Sequence, residues 1–145
     1  MEPLSAVASA IAVVQVADRV ISVCKAYITG VHDAPIELRA VLIEVGSLKC
    51  VLEVLELSVP SPQIPSQIGI LEKLIGPING SGEALRQLEA LFPQPDIPVR
   101  GKRKRLGLSL ASLAWPFKRD KAFKLLEEIG RHKATISLGL TTEAA

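Results

Sequence analysis

Three observations in the sequence predict an all-α fold, a bundle of about five helices with an apolar N-terminal helix. Apolar residues make up 48% of the chain and aromatic residues only 3%, so the core must be built from Leu, Ile, Val and Ala. Such side chains suit packed helices better than a β-sandwich. The longer segments repeat apolar residues at spacings of three and four, the mark of one buried helix face. No segment sustains the period-two alternation, bounded by turn signals, that a half-buried strand needs. At 145 residues the chain makes one domain, 1–145, long enough for a real core.

The first helix is predicted over residues 4–29. Pro3 suits its first turn and Glu2 its positive dipole end. From Pro3 to Ala17 there is no charged side chain. At 100° per residue, Gln15, Asp18, Arg19, Ser22, Lys25 and Thr29 share a stripe that Leu4, Ala8, Ile11 and Ala12 hold in the first half. The helix is thus amphipathic late and apolar nearly all round early, as in a bundle centre or in lipid. Small residues at four-residue steps (Ser5/Ser9, Ala6/Ala10, Ala8/Ala12) suit close helix packing in either setting. Fifteen uncharged residues rise only ~22 Å, short of a ~30 Å hydrocarbon core, so an ordinary transmembrane span is not expected. Glu2 and the charges from Asp18 onward argue against a secretory signal.

Gly30 ends this helix and Asp33-Ala34-Pro35 signals the next. Leu38, Val41, Leu42, Val45, Leu48, Val51, Leu52 and Leu55 form its buried face, with Glu37, Arg39, Glu44, Lys49, Glu53 and Glu56 mostly off it. Gly46 is a weak spot, tolerated where a neighbouring helix comes close. Prolines 60, 62 and 65 mark a loop at about 58–66. A short helix over 67–75 carries Ile68, Leu71, Leu74 and Ile75, and Gly76-Pro77 breaks or kinks it. The glycine-rich 76–82 stretch lacks the preceding strand and following Lys of a phosphate loop, and is expected to be a flexible connection. Helix resumes over 83–92 with Leu85, Leu88, Leu91 and Phe92 inward. Prolines 93, 95 and 98 mark a second loop at about 93–102. A helix over 103–114 carries Leu106, Leu110, Leu113 and Ala114, and Trp115-Pro116 bends the chain. The last helix, about 117–141, carries Phe117, Ala122, Leu125, Leu126, Ile129, Ile136 and Leu140. Trp115 is expected to wedge that bend, partly buried.

Charge is unevenly spread. Residues 100–124 hold nine Lys/Arg against Asp120, while the rest hold eight basic and fourteen acidic residues. The run Arg100, Lys102, Arg103, Lys104, Arg105 reads either as a solvated surface or as a binder of anionic lipid, where each basic residue contributes ~1 kcal/mol. So few aromatics leave no stacking platform for bases, so nucleic acid is not an expected partner. His32 and His132 lack the acid or Cys spacing of a metal site, and no cofactor or catalytic residue is indicated. Cys24 and Cys50 are expected as buried thiols in a reducing compartment.

The opening Met1 to Ala12, Asp33-Ala34-Pro35, the segment Ala114-Trp115-Pro116-Phe117-Lys118 and the tail from Arg131 to Leu138 resemble the HeLo-like N-terminal domain of fungal STAND (NOD-like receptor) proteins. The resemblance spans essentially the whole chain. It implies a non-enzymatic helical effector of innate immunity, heterokaryon incompatibility and programmed cell death. It also implies nucleotide-binding and repeat domains downstream. In that picture the domain is cytoplasmic, forms a homo-oligomer on activation, and moves to the plasma membrane. Membrane insertion falls to Leu4, Val7, Ala8, Ile11 and Val14, and headgroup binding to Arg100 and Lys102–Arg105. The alternative is a helical interaction adaptor that never inserts.

Overall fold

The computed structural model describes the backbone of residues 3–30, 36–58, 65–92 and 101–144, and the side chains of 6–29, 36–57, 69, 71–92 and 118–141. Among the described residues there are four helices and no strand: α1 (Pro3–Gly30), α2 (Glu37–Ser58), α3 (Pro65–Ala90) and α4 (Gly101–Ala144).

Two prolines do not divide their helices, so the six helical segments read from the sequence form four helices instead of about five. Helix α3 runs through Gly76-Pro77, so 76–82 is not a connection. Gly76 lacks the Cβ that would clash with the proline ring, which keeps α conformation open to it. Beyond it Ile78, Ala84, Leu85 and Leu88 are fully or almost fully buried, and the buried Ser81 hydroxyl donates to the Ile78 carbonyl at 2.8 Å. That burial offsets the ~3 kcal/mol a helical proline costs. Helix α4 likewise keeps its backbone through Trp115-Pro116. The Trp115 ring lies outside the described residues, as do His32, Asp33-Ala34-Pro35 and the Ile68 side chain. Helix α2 extends to Ser58 and α4 begins at Gly101, so both expected loops are shorter.

Around the bundle the order is α1, α2, α4, α3: α1 and α4 each pack on both α2 and α3 and barely touch each other. Contacts fix the directions. Val13 meets Gly82, Arg19 meets Glu89 and Tyr27 meets Phe92, so α1 and α3 run parallel. Glu37 pairs with Arg119 at 3.4 Å and Glu44 with Lys133 at 2.8 Å, so α2 and α4 run parallel. Leu74 meets Gly139, Gly80 meets His132, and Lys118 donates to the Leu91 carbonyl at 2.8 Å, so α3 and α4 are antiparallel. Lys49 on α2 pairs with Asp18 on α1 at 2.6 Å, and that carboxylate raises the lysine's pKa.

The core is one cluster running the length of the bundle. Helix α1 gives it Ala6, Ala10, Val13, Val16, Ala17, Val20, Cys24 and Tyr27; α2 gives Leu38, Val41, Val45, Leu48, Leu52 and Leu55. From α4 come Ala122, Leu125, Ile129 and Ile136, at the expected spacing. Helix α3 approaches its neighbours where it has no side chain. A Cβ at Gly82 would stand 2.9 Å from Val13 Cγ2, and one at Gly80 would stand 2.7 Å from the His132 ring. Gly46 is different: a Cβ there would meet nothing within 4 Å among the described residues, so none of them accounts for that glycine.

Gly82→Ala should therefore lower stability, because Val13 is buried and β-branched and cannot swing aside. Overpacking of ~1–3 kcal/mol should outweigh the ~0.5–1 kcal/mol gained by removing a helical glycine. Gly69→Ala, with open space at its Cβ, should gain that smaller amount instead. Denaturant midpoints that move the same way for both variants would contradict the contact.

Candidate functional site

The first half of α1 carries the feature on which function was expected to turn. Its inward residues are Ala6, Ala10 and Val13, small side chains that let α2 and α3 come close. The opposite stripe faces water along its described length. Ala8, Ile11 and Ala12 are exposed, Ile11 to 44%, in line with exposed Gln15, Asp18, Arg19, Ser22, Lys25 and Thr29. The apolar stripe is thus a surface of the folded bundle, and α1 is not enclosed all round. Val7 and Val14 are half-buried, and Val14 packs against the core. The Leu4 side chain lies outside the described residues.

Beside the stripe runs a shallow groove of about 470 Å³ between α1 and α3, with Ala8, Ala12, Asn79, Gly82 and Arg86 among its walls. Its polar edge is Arg86, 3.7 Å from Glu83 in an exposed pair. The 24 residues Ala6–Thr29 are long and apolar enough to cross a membrane, longer than the uncharged stretch suggests. Of their most apolar stretch 33% is buried in the bundle.

The structure does not bring the basic run beside this stripe. Arg100 lies outside the described residues; Lys102, Arg103, Lys104 and Arg105 lie on the helical backbone of α4, their side chains outside the described set. Lys118 of α4 reaches the Leu91 carbonyl, next to Phe92, at the end where α1 finishes at Tyr27. The Ala8–Ala12 stripe lies at the other end, level with Gly82.

Two titratable groups inside the bundle are held neutral. Burial pushes the Cys24 thiol up to about 12, and pushes Tyr27, which Cys24 also faces, up to about 12. Neither forms its anion near neutral pH. The Tyr27 hydroxyl has no partner among the described residues, and its ring tilts against Phe92 at 5.8 Å. His132 is half-buried against Gly80. No group of three or more His, Cys, Asp or Glu stands together as a metal site among the described residues.

Cys50 corrects the expectation of two buried thiols: it is exposed. It belongs to a second apolar set, on the outer face of α2, that the sequence reading passed over. Ile36, Ala40, Ile43, Ser47, Cys50, Val54 and Leu57 are spaced four and three apart, and all but the half-buried Ser47 are exposed. The core set of α2 already satisfies the helical period, which hid a second set opposite it. Comparison with protein-family models, characterised proteins and solved structures returns no match for this chain.

A native thiol titration of the dilute, monomeric protein should find one fast-reacting cysteine. Cys50→Ser should abolish the fast phase, and Cys24 should react only on unfolding. Two fast thiols in the folded protein would contradict the burial of Cys24.

Proposed function

We propose that this chain is the N-terminal effector domain of a fungal STAND receptor of the HeLo-like kind, which permeabilises membranes by inserting α1 when it oligomerises. The observation that carries the reading is the water-facing apolar stripe of Ala8, Ile11 and Ala12 on a helix long enough to span a bilayer. An exposed stripe of this kind gains from leaving water. Releasing the whole span also uncovers Val16, Ala17, Val20, Cys24 and Tyr27, a cost the oligomer must offset, and the inward face is weakest at the N-terminal end. A fully buried Leu or Val contributes ~1.5–3 kcal/mol, but two of the three inward residues there are alanines, which bury far less. The domain waits in the cytoplasm and moves to the plasma membrane, with nucleotide-binding and repeat domains following it in the receptor.

In this reading Arg100 and Lys102–Arg105 hold anionic headgroups, the latter four from the part of α4 that precedes its contact with Leu91. Attraction and insertion are therefore separate steps that meet only after α1 leaves. Replacing Lys102, Arg103, Lys104 and Arg105 with Gln should weaken binding to anionic vesicles, and raised salt should do the same to the parent, because exposed charges are screened over ~8 Å. Equal binding at both salt levels would leave the run as a solvated helix face.

The second reading, an adaptor that never inserts, is favoured by the exposed outer face of α2. Ala8→Asp separates the two. The side chain is exposed, so the variant should stay folded by circular dichroism and melt near the parent. In lipid an acid costs ~2.5–3.5 kcal/mol at mid-span and less toward the ends, and Ala8 lies near the N-terminal end of the Ala6–Thr29 span, so insertion should fall severalfold. Vesicle leakage and cell death should fall with it. A folded Ala8→Asp protein that leaks vesicles as the parent does would sink the insertion reading and leave the adaptor.

A further inference from the structure

We propose that the outer face of α2 is a self-association surface, on which a second copy of this chain docks with its own α2 running antiparallel. The inference stands apart from the membrane reading. Surface helices normally carry polar residues opposite the core. From Ile36 through α2 to Leu57 the positions there are apolar except Ser47, at the 3.5-residue average of a coiled-coil seam. Ile36 is 75% exposed, Ile43 71% and Leu57 87%. A continuous apolar stripe of this length marks an interaction site.

The stripe and its flanks are complementary to themselves. In an antiparallel seam Ile36 lies against Val54 of the second copy, Ala40 against Cys50, and Ile43 against Ser47, so the layers flanking the axis each set a large residue against a small one. The same register sets Arg39 level with Glu53 of the other copy, twice by symmetry. Arg39 makes no ion pair among the described residues. Glu53 has only Lys49 at 3.7 Å, and Lys49 itself is held at 2.6 Å by Asp18. A parallel seam would instead bring Arg39 toward Glu44, already paired with Lys133 at 2.8 Å. Gly46 falls near the twofold axis, facing its own copy. A helical glycine that none of the described residues requires is accounted for by backbones meeting there. The contact is isologous and closes at two copies.

Sedimentation of the purified chain should show a reversible monomer–dimer equilibrium. Ile43→Glu should raise the dissociation constant about tenfold or more, with helical content and melting unchanged. Arg39→Glu and Glu53→Arg should each weaken the dimer, and the two together should restore it. The two positions are 14 residues apart, about 21 Å along one helix, so only a pair between copies can be rescued. Oxidation should cross-link Ala40→Cys through Cys50 of the partner copy, but leave the parent uncross-linked. A parent that sediments as a monomer at every concentration overturns the proposal. So does a dimer indifferent to Ile43→Glu, a double swap that fails to restore association, or a parent that cross-links through Cys50 alone. A monomer whose vesicle binding falls with Ile43→Glu assigns the stripe to lipid instead. Leakage by Ala8→Asp tests the insertion reading independently of all these outcomes.

Discussion

The bundle depends on how closely α1 and α4 approach α3. Over Gly80-Ser81-Gly82 one side of α3 takes Val13 and another takes His132, each so near that an added methyl would overlap it. Further along, Gly139 of α4 admits Leu74, whose Cδ2 would stand 2.7 Å from a Cβ at that position. Because α3 is gripped from two sides, breaking it at Pro77 would forfeit both seams. The helix accepts the missing hydrogen bond instead, and Ser81 turns its hydroxyl back to the Ile78 carbonyl. Gly80 and Gly82, two of the glycines that made this stretch look like a connection in the sequence, are its points of contact.

Charges set the register of the bundle more than its stability. Asp18–Lys49, Arg19–Glu89, Glu37–Arg119 and Glu44–Lys133 join different helices, and most of these side chains remain partly in water. Such pairs contribute ~0–1 kcal/mol each. Their value is directional: Glu37 and Glu44 are seven residues apart, and their partners on α4 are fourteen apart, so both pairs are met only with α2 and α4 parallel and inclined to each other. Burial of Leu, Ile and Val supplies the stability, and the ion pairs select among ways of achieving it.

Periodicity made the helical class legible, and with it the inward face of α2 from Leu38 to Leu55 and that of α4 from Ala122 to Ile136. The water-facing course of the α1 stripe was legible only as a conditional, because alanine and isoleucine pack in a core as readily as they face water. The helix count was not legible. Proline and glycine carry a local preference for breaks, and whether a helix overrides it depends on neighbours distant in sequence, as Val13 and His132 are from Gly82 and Gly80. The basic run was legible as charge but not as place. That the part of α4 it leads into lies at the end away from the Ala8–Ala12 stripe follows from the antiparallel pairing of α3 and α4, which composition does not encode. The exposed set from Ile36 to Leu57 was hidden by the core set on the same helix, since one satisfied period gives no reason to look for another.

The two apolar surfaces constrain each other when taken together. Asp18 lies beside Lys49 and α1 runs against α2, so residues before Asp18 on α1 are level with residues after Lys49 on α2. Ile11 and Leu57 therefore mark the same end of one bundle. An antiparallel α2 seam turns the second copy end for end, and its α1 stripe then lies at the far end of the dimer. Two copies joined in this way cannot offer both N-terminal helices to one bilayer. If both proposals hold, the dimer is a resting state and the membrane-active oligomer is a different assembly. The α2 seam would then cover apolar surface in the cytoplasm while keeping the two α1 helices pointed apart.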